Sequence, residues 1–163
     1  MRSILMSWPV IIASAIAFLA IGYTFSLYAP QTGEPILDML ASQADVLARL
    51  DAMDAEQKAT HFQMTLIADM LYPVAYAIML GGLAMRAFPK AGWWLAIPAF
   101  VAGGFDIVEN IVQLMALLGS VGLVGLKAFL TPGKFLLVVC SALLVIVCWL
   151  VVGFAALRRR MSS

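Results

Sequence analysis

Four stretches of this chain are each long and apolar enough to cross a lipid bilayer: residues 4–28, 62–86, 93–118 and 132–157. A spanning helix needs about 20 mainly apolar residues. Together the four take up most of the 163 residues, which leaves no room for a separate soluble domain. The expected fold is therefore all-α, a single integral membrane four-helix bundle over 1–163. Composition agrees: only 12% of residues are charged, where a soluble domain has about a quarter. No basic patch with interleaved aromatics occurs, so no nucleic acid partner is expected. The first stretch follows Arg2 and holds small residues at 13–17, "ASAIA". A signal-peptide core is about 7–15 apolar residues, and this run continues to Tyr28. It reads as a retained span.

Basic residues near span ends mark the cytoplasmic side of a membrane. Arg2, Arg86, Lys90, Arg158, Arg159 and Arg160 all fall on one side if both termini are inside. Arg49, Lys58, Lys127 and Lys134 fall on the other, together with six acids between 29 and 60. Trp8, Trp93 and Trp94 lie near the expected inner ends, and Tyr28 at an outer end, where amphipathic rings anchor. The expectation is an N-in/C-in protein of a bacterial inner membrane, in contact with membrane lipid.

The first connection is the only extended hydrophilic piece. Over 34–53, Ile36, Leu40, Leu47 and Leu50 recur near helical spacing, with Asp38, Asp45, Arg49 and Asp51 on the other faces. That pattern predicts an amphipathic outer helix of about four turns, as a cover or as a lid. Asp54 and Gln57 have the spacing of a capping box, which starts the next helix near Ala55. Thr131-Pro132 reads as the start of the fourth span, with a hydroxyl cap and a proline in the first turn. Cys140 and Cys148 are about 12 Å apart along one helix, too far for a disulfide.

The polar residues inside the apolar runs are not scattered. In "GGFDIVEN", residues 103–110, and just beyond it, Asp106, Glu109, Asn110 and Gln113 stand at i, i+3, i+4 and i+7. They form one stripe down a helix face. The second span carries His61, Thr65, Asp69, Tyr72 and Tyr76 within one sector. Pro73 lacks the N–H that would bond the Asp69 carbonyl, and Gly103 and Gly104 allow a close helix neighbour. Asp69, Tyr72 and Tyr76 are expected to face Asp106, Glu109, Asn110 and Gln113. An acid at a helix centre costs roughly 2.5–3.5 kcal/mol on insertion, so such a stripe has a use. Asp106 and Glu109, one turn apart, are expected to share a proton.

Few chemistries fit. There is a single histidine, so no di-iron pattern of paired Glu-x-x-His exists; an all-oxygen Mg²⁺ or Ca²⁺ site from Asp69, Asp106 and Glu109 is conceivable, but no spacing is diagnostic of one and no metal or other cofactor is expected. No G-x-S-x-G, P-loop or nicotinamide fingerprint occurs. Asp69, Asp106 and Glu109 are candidate catalytic residues, and Tyr72, Tyr76, Asn110 and Gln113 candidate ligand-binding ones. The expected function is acid–base chemistry of isomerase, hydratase or cyclase type on a lipid-like or isoprenoid-like small amphipathic ligand, or binding of one. One alternative is a proton- or cation-coupled carrier, for which a homodimer would be needed. The other is a structural subunit whose polar residues join helices. The layout, acids within a bundle beneath an outer segment, resembles that of the four-helix sterol-isomerase-like membrane proteins. "DMLYPVAY" and "FDIVEN" depart from that family's acid and histidine pattern, so the resemblance implies architecture alone and carries over no residue.

Overall fold

A computed structural model of the protein describes residues 2–162, with the main chain alone at Arg2; the topological reading of the Arg2 side chain lies outside the described residues. The described chain is helical, without strands. A short turn of helix, α1 (Arg2–Leu5), precedes α2 (Trp8–Thr32). The connection that follows holds a 3-10 turn, Leu37–Met39, and α3 (Gln43–Ala52). Next come α4 (Ala55–Met64), a π-helical turn at Thr65–Asp69 and α5 (Met70–Ala87), which run on as one rod. After them come α6 (Gly92–Leu117), a 3-10 turn at Val124–Leu126, and α7 (Lys127–Met161). Four of these stretches, Trp8–Thr32, Ala55–Ala87, Gly92–Leu117 and Val124–Met161, are long and apolar enough to cross a membrane.

The central helix is α5. It packs against α2, α6 and α7, while α6 also packs along α7. Small residues set the closest approach. A Cβ on Gly103 would sit 3.1 Å from the Ala77 side chain and 3.3 Å from the Pro73 carbonyl oxygen, so this glycine lets α6 lie against the proline-bearing turn of α5. Gly104 has open space beside it and plays no such part. The outward surfaces of α2 and α7 are rows of exposed Ile, Leu, Val and Phe, such as Ile16, Leu19, Leu150 and Phe154. That is the surface a lipid-facing helix presents.

The connection after α2 is shorter in helix than the sequence pattern predicts. Leu40 and Ser42 are extended, and the Ser42 hydroxyl accepts from the Asp45 N–H. A serine that caps a new helix ends any helix before it. The segment therefore splits into two short pieces. Leu37, Val46, Leu50 and Met53 pack with Ala116 and Val124, which seats it on the end of α6 and the turn into α7. Arg49 holds its start, donating to the carbonyls of Thr32 (2.6 Å) and Pro35 (3.0 Å).

The α4 start follows the predicted capping box. The Gln57 N–H donates to Asp54 Oδ1 at 2.8 Å, and the Asp54 N–H to Gln57 Oε1 at 3.3 Å. Asp54→Ala should cost about 1 kcal/mol, read as a drop of roughly 2–4 °C in the melting temperature of the detergent-solubilised protein. The fourth span departs from expectation. Its helix begins at Lys127, not at Pro132, which lies inside it. The Thr131 hydroxyl donates to Glu109 Oε1 at 2.6 Å, so it is spent on α6 and does not cap a helix.

Candidate functional site

Pro73 shapes one side of the site. With no N–H at that position, the Asp69 carbonyl loses its usual helical donor, and the ring crowds it. The chain takes a π-turn at Thr65–Asp69, a feature that recurs at functional sites. The freed carbonyl is satisfied from the neighbouring helix: Asn110 Nδ2 donates to Asp69 O at 2.8 Å. This bond fixes α5 and α6 in register and sets Asp69 at the depth of the α6 stripe.

All four residues of that stripe are buried, Glu109 and Asn110 completely. Opposite them α7 offers Lys127, Thr131 and Lys134 on one face. Lys134 Nζ lies 2.9 Å from both Asp106 Oδ1 and Glu109 Oε2, and 3.9 Å from Asp38 Oδ1. The fully buried Lys127 ammonium pairs with Glu109 Oε1 and donates to Gln113 Oε1 at 3.2 Å. The expected shared proton between Asp106 and Glu109 is thus replaced by an ammonium bridge. An ammonium with three donors satisfies two carboxylates at once, where a proton satisfies one oxygen pair.

From Gln113 the network continues outward. Gln113 Nε2 donates to Thr65 Oγ1 at 3.1 Å, and His61 Nδ1 lies 3.2 Å from the same oxygen. The Leu37 N–H donates to His61 Nε2 at 3.2 Å. A main-chain N–H can only donate, so Nε2 is unprotonated and the imidazole is neutral, with its proton on Nδ1. His61 is a buried strut under the connection, rather than an exposed interfacial anchor.

Beside this network lies a cavity of about 270 Å³, between α2 and α7 and floored by α5 and α6. Its polar wall is Asp38, Asp69, Tyr72, Tyr76, Asp106 and Lys134. Phe18, Phe25, Ile36, Met39, Phe135 and Val138 complete it, with Met39 and Phe135 exposed at the rim. Tyr72 stacks on Phe18 (ring centroids 4.9 Å) and meets Phe25 and Tyr76 edge-on. The Tyr76 hydroxyl donates to Asp106 Oδ2 at 3.1 Å. Donors on both oxygens of Asp106 fit it as the ionised carboxylate.

Asp38 reaches the cavity from the connection, not from a spanning helix. Burial pulls its carboxyl up, but the Lys134 ammonium, the Asp69 carboxyl within hydrogen-bonding reach and Lys127 outweigh burial and hold it below its ordinary range. Apart from Lys134, no donor is aimed at Asp38 Oδ1, and none at Asp69 Oδ2.

Of the seven residues marked in the sequence, Asp69, Tyr72, Tyr76 and Asp106 line the cavity, while Glu109, Asn110 and Gln113 stand behind it. Asn110 and Gln113 hydrogen-bond to Asp69 O, Thr65 and Lys127 and do not line the cavity. Sequence reading passed over Asp38, Lys127, Thr131 and Lys134. For the last three a signal existed, the i, i+4, i+7 spacing that matches the α6 stripe. No group of three or more His, Cys, Asp or Glu suited to a metal ion occurs among the described residues. No family model matches the chain, and no curated protein and no solved structure matches it.

Proposed function

We propose that this protein spans the membrane with both termini inside and takes up a small lipid-like molecule between α2 and α7, where Asp69 and Asp106 act on it as acid and base. The observation that carries this reading is the cavity itself. Two carboxyls in unlike settings converge in one pocket with apolar and aromatic side chains: Asp106 has donors on both oxygens, and Asp69 has none on Oδ2. Pairs of titratable groups held apart in this way mark acid and base assignments. Asp69 gives a proton to one carbon of a double bond, and Asp106 takes one from the allylic carbon next to the other end of it. The sum is a shift of the double bond, with no other reagent consumed. Tyr72 and Tyr76 bracket the ligand. Glu109, Asn110, Gln113 and Lys127 are positioning residues behind the wall.

The orientation rests on charge. One end of the bundle gathers Arg86, Lys90 and Arg158–Arg160. At the other end the count is weaker than the sequence implies, because Lys127 and Lys134 are buried in the network. Only Arg49 and Lys58 remain there to oppose the rule that basic residues stay inside.

Two alternatives fit less well. A relay carrying protons along the network would have to pass Gln113, whose amide accepts at one end and donates at the other and cannot hand a proton through. Polar residues serving only to join helices would have no reason to leave Asp69 Oδ2 without a donor beside an open cavity.

The test is native mass spectrometry of protein extracted in its own lipids, followed by exchange in deuterated water. A bound small molecule should appear on wild type and be lost when Val138→Trp fills the pocket. The recovered molecule should take up deuterium with wild type, and at least a hundredfold more slowly with Asp69→Asn or Asp106→Asn. A molecule that binds but never exchanges would reduce the role to binding. An empty pocket in wild type would remove the reading.

A further inference from the structure

The charges around the cavity do not balance. The buried charged side chains among the described residues are Asp38, Asp69, Asp106, Glu109, Lys127 and Lys134. His61 is neutral by its hydrogen bonds. Four carboxyl groups thus face two ammonium groups. Lys127 is spent on Glu109 and Gln113, away from the cavity. The cavity wall is left with Lys134 alone against Asp38 and Asp106, and Lys134 also serves Glu109. A buried carboxylate without a partner is expensive, and a cation held in the cavity relieves it as a proton would.

The position and kind of that cation follow from what is unused. Asp69 is 3% exposed, and its Oδ2 has no donor; Asp38 Oδ1 has only the distant Lys134. Both side chains line the cavity, and so do the rings of Phe18, Phe25, Tyr72, Tyr76 and Phe135. Aromatic faces attract a cation within about 6 Å of the ring, most strongly when it is desolvated, and box-like groups of rings suit alkylated ammonium. A small hard metal ion gains little from such walls. We propose that the pocket's ligand is an amphipathic organic cation, an amine or quaternary ammonium, whose head sits against Asp38 and Asp69 among the aromatic rings and whose tail leaves past Met39 and Phe135. This rests on the reading of the cavity as a ligand site and adds the charge of the ligand.

The experiment compares hexyltrimethylammonium, hexyl sulfate and hexyl glucoside, titrated against the protein in neutral-lipid nanodiscs and read by thermal shift and native mass spectrometry. The cation should bind saturably, at least tenfold tighter than the other two. Asp38→Asn should weaken it at least tenfold. Met39 is 61% exposed at the rim, so its substitutions leave the fold intact if Asp38→Asn does not. Met39→Lys should abolish cation binding, and Met39→Glu should strengthen it severalfold. Tighter binding of the neutral or anionic probe, blocked by Val138→Trp, would leave the pocket a ligand site and overturn its charge preference. Cation binding indifferent to both Met39 variants would also overturn it. No binding by any probe would remove the charge proposal and the ligand site together.

Discussion

Lys134→Met lowers the stability of this protein by about 3–5 kcal/mol, the cost of removing one partner from a buried ion pair. Methionine fills nearly the same volume, so the loss is electrostatic. Among the described residues Lys134 is the only cation that touches Asp106, and it also neutralises Glu109 and approaches Asp38. Without it three carboxylates, Asp106 and Glu109 of α6 and Asp38 of the connection, face one another in the interior, with Lys127 left to serve Glu109 alone. The melting temperature of the solubilised protein should fall by roughly 6–20 °C. Adding Asp106→Asn should restore part of that loss, giving a coupling of about 1–3 kcal/mol in the double-mutant cycle. A Lys134→Met protein that melts with wild type would mean the pairs are not charged as described.

The second large effect concerns the join between α5 and α6. Asn110→Leu should cost roughly 2–3 kcal/mol, because it strands the buried Asp69 carbonyl. That carbonyl needs Asn110 only because residue 73 is a proline. Pro73→Ala supplies a main-chain N–H in the right place, so in its background Asn110→Leu should cost at least about 1 kcal/mol less. Denaturation of the four proteins in the cycle decides the matter. Strict additivity would show that the amide and the proline act separately.

The spans and the α6 stripe were legible in the sequence because each rests on a local rule. Hydropathy over about 20 residues marks a span, and a 100° step aligns Asp106, Glu109, Asn110 and Gln113. The missing donor at Pro73 was legible for the same reason. What escaped was pairing across helices. Lys127 and Lys134 read as charges at the outer end of the fourth span because Thr131-Pro132 has the local signature of a helix start. The α6 acids outbid that signature by taking the Thr131 hydroxyl and both ammonium groups, and the helix extends to bring them there. Asp38 could not be placed from sequence at all. Its neighbours have an amphipathic pattern that puts it toward solvent, and only the break at Leu40–Ser42 turns it inward.

That inward turn has a consequence for how such a protein could diversify. Three sides of the pocket are spanning helices, where every substitution must also suit lipid and the neighbouring helix. The side that carries Ile36, Asp38 and Met39 is a short aqueous segment, fastened by Arg49 to the end of α2 and by Leu37 to His61. It can be exchanged like a faceplate. On the proposed reading, grafting a different sequence between Gly33 and Leu40 onto the same four spans would change the Asp38 side of the head-group site while leaving Asp69 and Asp106 in place, so part of the selectivity is written outside the spans.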